Sequence, residues 1–70
     1  MELTINGKPE NIAEDKITVE KLLKVKNIKM PEMVSVELND EFVEREKFSL
    51  TYLKAKDRVE FLYFMGGGRE

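Results

Sequence analysis

The stretch DRVEFLYFMGGG, Asp57 to Gly68, is an alternating strand that runs straight into three consecutive glycines. Successive side chains of a strand point to opposite sides, so Val59, Phe61 and Tyr63 share one face of the segment Arg58 to Phe64, and Glu60, Leu62 and Phe64 share the other. If the first face turns to a core, Leu62 and Phe64 lie on the open side of a sheet, beside Met65 and the glycines, where grouped apolar side chains mark a partner surface. Gly66, Gly67 and Gly68 neither pack nor hold a single backbone conformation. Two readings are open. The glycines are a frayed terminus, where this residue is common, or they are a thread thin enough for a channel that any Cβ atom would block. The thread would carry a terminal carboxylate into another protein's active site, and its chemistry would fall on the backbone because glycine has no side chain.

Moving towards the N-terminus, residues 45–56 show no period, and Phe48, Leu50, Tyr52 and Leu53 are available to pin this stretch to a core. Before it, Val34, Val36 and Leu38 alternate with Ser35, Glu37 and Asn39, the cleanest strand pattern in the chain. Asn39-Asp40 reads as a turn and Phe42-Val43 as a short returning strand. Thr18 suits a helix N-cap, with Glu20 in the first turn where the dipole favours negative charge. Val19, Leu22 and Leu23 then fall on one helical face. Asn27 can adopt a left-handed cap and Pro31 cannot continue a helix, so the helix is expected to stop near Val25 to Asn27. At the start, Met1, Leu3 and Ile5 alternate with Glu2, Thr4 and Asn6, and Asn6-Gly7 favours a tight hairpin into a weaker strand near residues 9–14, where Pro9 suits a strand start or edge. The order is strand, strand, helix, strand, short strand, strand. One helix of this length covers one face of a four- or five-stranded sheet, an α+β architecture.

Seventy residues make one domain whose small core leaves little room for an internal active site. The chain has no cysteine and no histidine, which removes the thiolate nucleophile, the commonest general base and the commonest transition-metal ligands. Ser35, Ser49 and the threonines have no base to activate them, so an enzyme is not expected. No acidic loop of the calcium-binding kind is present. Twelve basic and fourteen acidic residues, interspersed, leave a formal charge of −2 and no clustered basic footprint for nucleic acid. No apolar run approaches a membrane span, and MELTINGK does not read as a signal peptide, so a cytoplasmic protein is expected. Lys54, Lys56 and Arg58 read either as a basic rim that steers an acidic partner or as a plain solvated charge run. A surface ion pair is one of two equal readings of Arg45, the other being the place it holds in a family pattern.

The segment DRVEFLYFMGGG resembles the C-terminal signature of ThiS sulfur-carrier proteins. The resemblance extends to INGK (Ile5 to Lys8), to ITVEKLL (Ile17 to Leu23) and to VSVELNDEFVERE (Val34 to Glu46), where ThiS proteins carry a similar strand-turn-strand ending in an arginine, here Arg45. It covers nearly the whole chain in the same order. It implies a β-grasp, ubiquitin-like fold over residues 1–65 with a glycine tail and two-residue extension over 66–70. It further implies that a ubiquitin-activating-type enzyme (ThiF type) uses MgATP to adenylate the terminal glycine, that a sulfur donor converts it to a thiocarboxylate, and that a thiazole synthase (ThiG type) or another acceptor takes the sulfur.

On this resemblance Gly68 takes the place of the modified glycine, Gly66 and Gly67 thread the channel, and Leu62, Phe64 and Met65 form the partner surface. The protein is then a carrier, monomeric when alone, with no bound cofactor. Family members generally end at Gly-Gly, whereas here Arg69-Glu70 follows Gly68, which calls for a trimming metalloprotease. Two alternatives stand beside this: a ubiquitin-like interaction domain without thiocarboxylate chemistry, or a similar carrier serving methionine or molybdopterin/tungsten cofactor synthesis.

Overall fold

The computed structural model describes residues 1–63. Strand β1 (Glu2–Ile5) pairs antiparallel with β2 (Lys8–Asn11), joined by a turn in which Asn6 and Gly7 both take positive φ, 51° and 82°. That is the backbone a two-residue hairpin needs if the right-handed twist of its strands is to be kept. The second strand is shorter than expected. It occupies only the hairpin partner of β1, and Ile12 just beyond it drops into the core.

Helix α1 (Val19–Val25) begins where the Thr18 hydroxyl accepts a hydrogen bond from Lys21 N at 3.1 Å, satisfying one of the free donors of its first turn. It ends at Lys26, and Asn27 follows with φ 61°. Val19, Leu22 and Leu23 are buried on its inner face. A 3-10 turn (Pro31–Met33) leads into β3 (Val34–Leu38). Asn39 and Asp40, with φ 52° and 72°, make a second hairpin turn into β4 (Glu41–Val43). A second 3-10 turn (Arg45–Lys47) and an irregular stretch then lead to β5 (Arg58–Tyr63).

The five strands form one mixed sheet in the order β2-β1-β5-β3-β4, so the last strand is the central one. It runs parallel to β1, with Thr4 opposite Arg58 and Ile5 opposite Val59, and antiparallel to β3 over five positions from Leu38–Val59 to Val34–Tyr63. Alternation places Leu3, Ile5, Val34, Val36, Val59 and Phe61 on the face covered by α1, and these side chains together with Ile12, Ile17, Phe48 and Leu53 form one core. Strands β1, β3 and β5 and helix α1 supply that core together with the connecting segments, whereas β2 contributes none of its own side chains and β4 only Val43, half-buried against it.

Two expectations about the irregular stretch need correcting. Phe48 and Leu53 do pin it to the core, but Leu50 is 73% exposed and Tyr52 is 58% exposed. The backbone of this stretch is held instead through Val19 N to Thr51 O, Leu53 N to Ile17 O and an isolated bridge between Thr18 and Tyr52. Hydrogen bonds of this kind hold the chain without committing the intervening side chains to the interior.

Candidate functional site

Strand β5 delivers the chain to the glycine tail, and its surroundings set what the tail's base looks like. Beyond Ile5, strand β1 turns away at Asn6-Gly7, while β5 continues for four residues past Val59. The Asn6 side chain closes this gap by one step: its Oδ1 accepts from Phe61 N at 2.8 Å, while Asn6 N donates to Val59 O at 2.9 Å. Leu62 and Tyr63 therefore run past the end of β1 with only β3 alongside, opposite Ser35 and Val34.

Tyr63 corrects its assignment to the core. Its position matches the core-facing parity of Val59 and Phe61, yet it is 54% exposed at the end of β5. Leu62 is exposed on the open face as expected. The residues Phe64, Met65, Gly66, Gly67 and Gly68, expected to complete the partner surface and the thread, lie outside the described residues, as do Arg69 and Glu70.

The start of β5 is tied down by a polar knot. Asp57 is almost fully buried, and its carboxylate accepts from Lys54 N at 2.7 Å and from Asn39 Nδ2 at 3.1 Å. The Asn39 side-chain Oδ1 in turn accepts from Arg58 N at 2.9 Å. A buried carboxylate without such donors would carry a heavy desolvation cost, so these bonds fix both the turn and the register in which β5 enters the sheet. The Asn39-Asp40 turn was visible in the sequence. Its side-chain cross-link to Asp57 was not, because it joins residues eighteen apart that only strand pairing brings together.

Arg45 does something other than form an ion pair. Its guanidinium donates to three backbone carbonyls, those of Pro31 at 2.9 Å, Glu32 at 3.1 Å and Val34 at 2.8 Å, and lies 5.3 Å from the centre of the Phe48 ring. It thus fastens the first 3-10 turn to the second and sets the start of β3, the strand against which the end of β5 lies. The cations near β5 each stand beside a carboxylate: Lys54 lies 4.0 Å from Asp57, Lys56 3.4 Å from Glu2 and Arg58 2.9 Å from Asp40.

On the helical side, a hollow of about 460 Å³ is lined by Leu23, Ile28, Pro31 and Phe48 with Glu20 and Arg45 at its margin. It holds no nucleophile paired with a base among the described residues. No group of three or more acidic side chains there is placed to hold a metal ion, and no described helix is long and apolar enough to cross a membrane.

A mixed sheet grasping one helix, with a central last strand that runs on past its parallel neighbour, defines a β-grasp, ubiquitin-like protein. Comparison with known proteins then gives the family. The ThiS family model matches residues 3–68, so Gly68 is the last residue matched, and the chain belongs to the ThiS family. It is similar to the crystal structure of the thiamine biosynthesis protein ThiS from Geobacter metallireducens, with 49% identity, covering 97% of this chain and 100% of that one at a TM-score of 0.88. The solution structure of a thiamine biosynthesis protein from the same organism is 48% identical, covering 100% of this chain and 91% of that one at a TM-score of 0.82. An uncharacterised protein, ycf40, from Pyropia yezoensis is 36% identical over 94% of this chain and 90% of its own length. Proteins of the ThiS family are small sulfur carriers rather than enzymes.

Proposed function

We propose that this protein carries sulfur as a thiocarboxylate on Gly68 and delivers it to thiazole synthesis for thiamine. The observation that carries the reading is the family match, which spans the fold and runs through all three glycines to Gly68. The thiamine biosynthesis protein of Geobacter metallireducens, seen both in the crystal and in solution and alike over almost its whole length, favours thiamine over other destinations of the sulfur.

The chemistry needs a free carboxylate at Gly68, so Arg69-Glu70 is first removed by a peptidase, of which a metalloprotease is the expected kind. A carboxylate is a poor electrophile. A ThiF-type enzyme makes it reactive when a carboxylate oxygen attacks the α-phosphorus of MgATP, the α–β anhydride bond breaks and pyrophosphate leaves. Sulfide attacks the resulting acyl carbon and AMP departs with the bonding pair, leaving the thiocarboxylate. Gly66 and Gly67 let the backbone enter a narrow channel because no Cβ atom obstructs it, and Leu62, Phe64 and Met65 supply apolar contact at its mouth.

Intact-mass spectrometry of the protein isolated from its own cells tests this. The expected species ends at Gly68 and is heavier by the exchange of one oxygen for sulfur. A homogeneous chain still bearing Arg69-Glu70 while thiamine is being made would leave an interaction domain without carrier chemistry as the better account.

A further inference from the structure

The open face of the sheet carries a feature that the tail chemistry does not use. Glu37 on β3 stands directly opposite Glu60 on β5. Two positions along the same register, Asn39 N donates to Arg58 O. Bonded and non-bonded pairs alternate in an antiparallel ladder, so Glu37 and Glu60 form a bonded pair with Cα atoms about 5.5 Å apart. Their side chains leave the same face next to each other. Like charges set directly opposite in a sheet are destabilising, and among the described residues no cation forms an ion pair with either one. Arg58, two residues before Glu60 on the same face, is engaged by Asp40, and Lys56 is engaged by Glu2.

Exposed apolar groups flank the two carboxylates. Phe42 on β4 stands opposite Glu37 on its other side and is 64% exposed; Leu62, one row along β5, is 43% exposed. Phe42, Glu37 and Glu60 thus make a row across three strands, with Leu62 above it towards the tail.

We infer that this face docks on a partner that inserts an arginine between Glu37 and Glu60 and covers Phe42 and Leu62 with apolar side chains. Arginine suits the notch because its planar guanidinium presents five donors in a fixed fork and can bond two neighbouring carboxylates at once. The repulsion borne by the free protein becomes attraction in the complex, and the charge complementarity gives the encounter its orientation. The occupant is the adenylating enzyme that first takes the tail, so the inference rests on the carrier reading and adds the chemistry of the surface that enzyme must present.

The test is calorimetric titration of the chain ending at Gly68 into the ThiF-type enzyme of the same cell, at low and high salt. The variant Glu37→Gln/Glu60→Gln should bind roughly tenfold or more weakly, with a flatter salt dependence. Its thermal unfolding should not fall, since the change relieves repulsion. Glu60→Lys should weaken binding further. Affinity of the double variant within about twofold of wild type, at an unchanged salt dependence, overturns the surface while leaving carrier chemistry intact if the wild-type chain is adenylated. A wild-type chain ending at Gly68 that is neither bound nor adenylated overturns the carrier reading and the surface together.

Discussion

Arg45 shows how a single exposed side chain can hold backbone rather than another charge. Its three carbonyl acceptors come from residues 31–34, and its fork spans them because they lie on one tight turn and the strand that follows. Lysine offers one point charge where arginine offers a fixed array of donors. Arg45→Lys is therefore expected to cost about 1–2 kcal/mol of stability by denaturant unfolding, since more than one of these bonds is lost and the Val34 acceptor is partly buried. An unchanged midpoint would mean that water serves those carbonyls equally well. The opposite behaviour belongs to Gly67. Gly67→Trp should abolish thiocarboxylation on the carrier reading, yet leave the unfolding transition in place, because among the described residues the core is drawn from residues 3–61. Normal sulfur loading by that variant would remove the argument that the tail threads a narrow channel.

Within β5, neighbouring residues serve different ends. Phe61 is packed against the helix and Leu62 faces out, so Phe61→Ala should cost about 3–5 kcal/mol, while Leu62→Ala should stay within about 0.5 kcal/mol of wild type and weaken partner binding instead. A core-sized loss for Leu62→Ala in calorimetry would reverse that division. This inside-outside parity could be read from the sequence wherever an element has a period: β1, β3, β5 and the inner face of α1 follow their alternation or helical spacing, and the Asn-Gly and Asn-Asp pairs marked both hairpins. Parity failed where the period ended. Tyr63 keeps the core-facing side but stands exposed at the end of β5, and Leu50 and Tyr52 sit in a stretch held by backbone bonds, where an apolar side chain carries no statement about direction. The Glu37–Glu60 pair was hidden for a different reason. Each glutamate occupies an ordinary outward position in its own strand, and only the β3–β5 register sets them face to face.

At the scale of the molecule, fold and tail divide the work between them, and the division can be measured. Since every core side chain among the described residues lies at or before Phe61, a chain ending at Met65 should unfold within about 2 °C of the full-length protein, a shift well under that of a 1 kcal/mol change in a domain of this size. A larger drop would show that the glycines contribute to the fold. The placement of β5 in the middle of the sheet has a mechanical side as well. A partner that draws on Gly68 loads β5 along its own axis, between a parallel neighbour and an antiparallel one. The five ladder positions shared with β3, and those shared with β1, resist as a group under shear; an edge strand would peel one bond at a time. On the carrier reading, an enzyme that tugs on the end of this chain would therefore meet a handle anchored in the centre of the body, and the domain would withstand the pull while its terminus is worked upon.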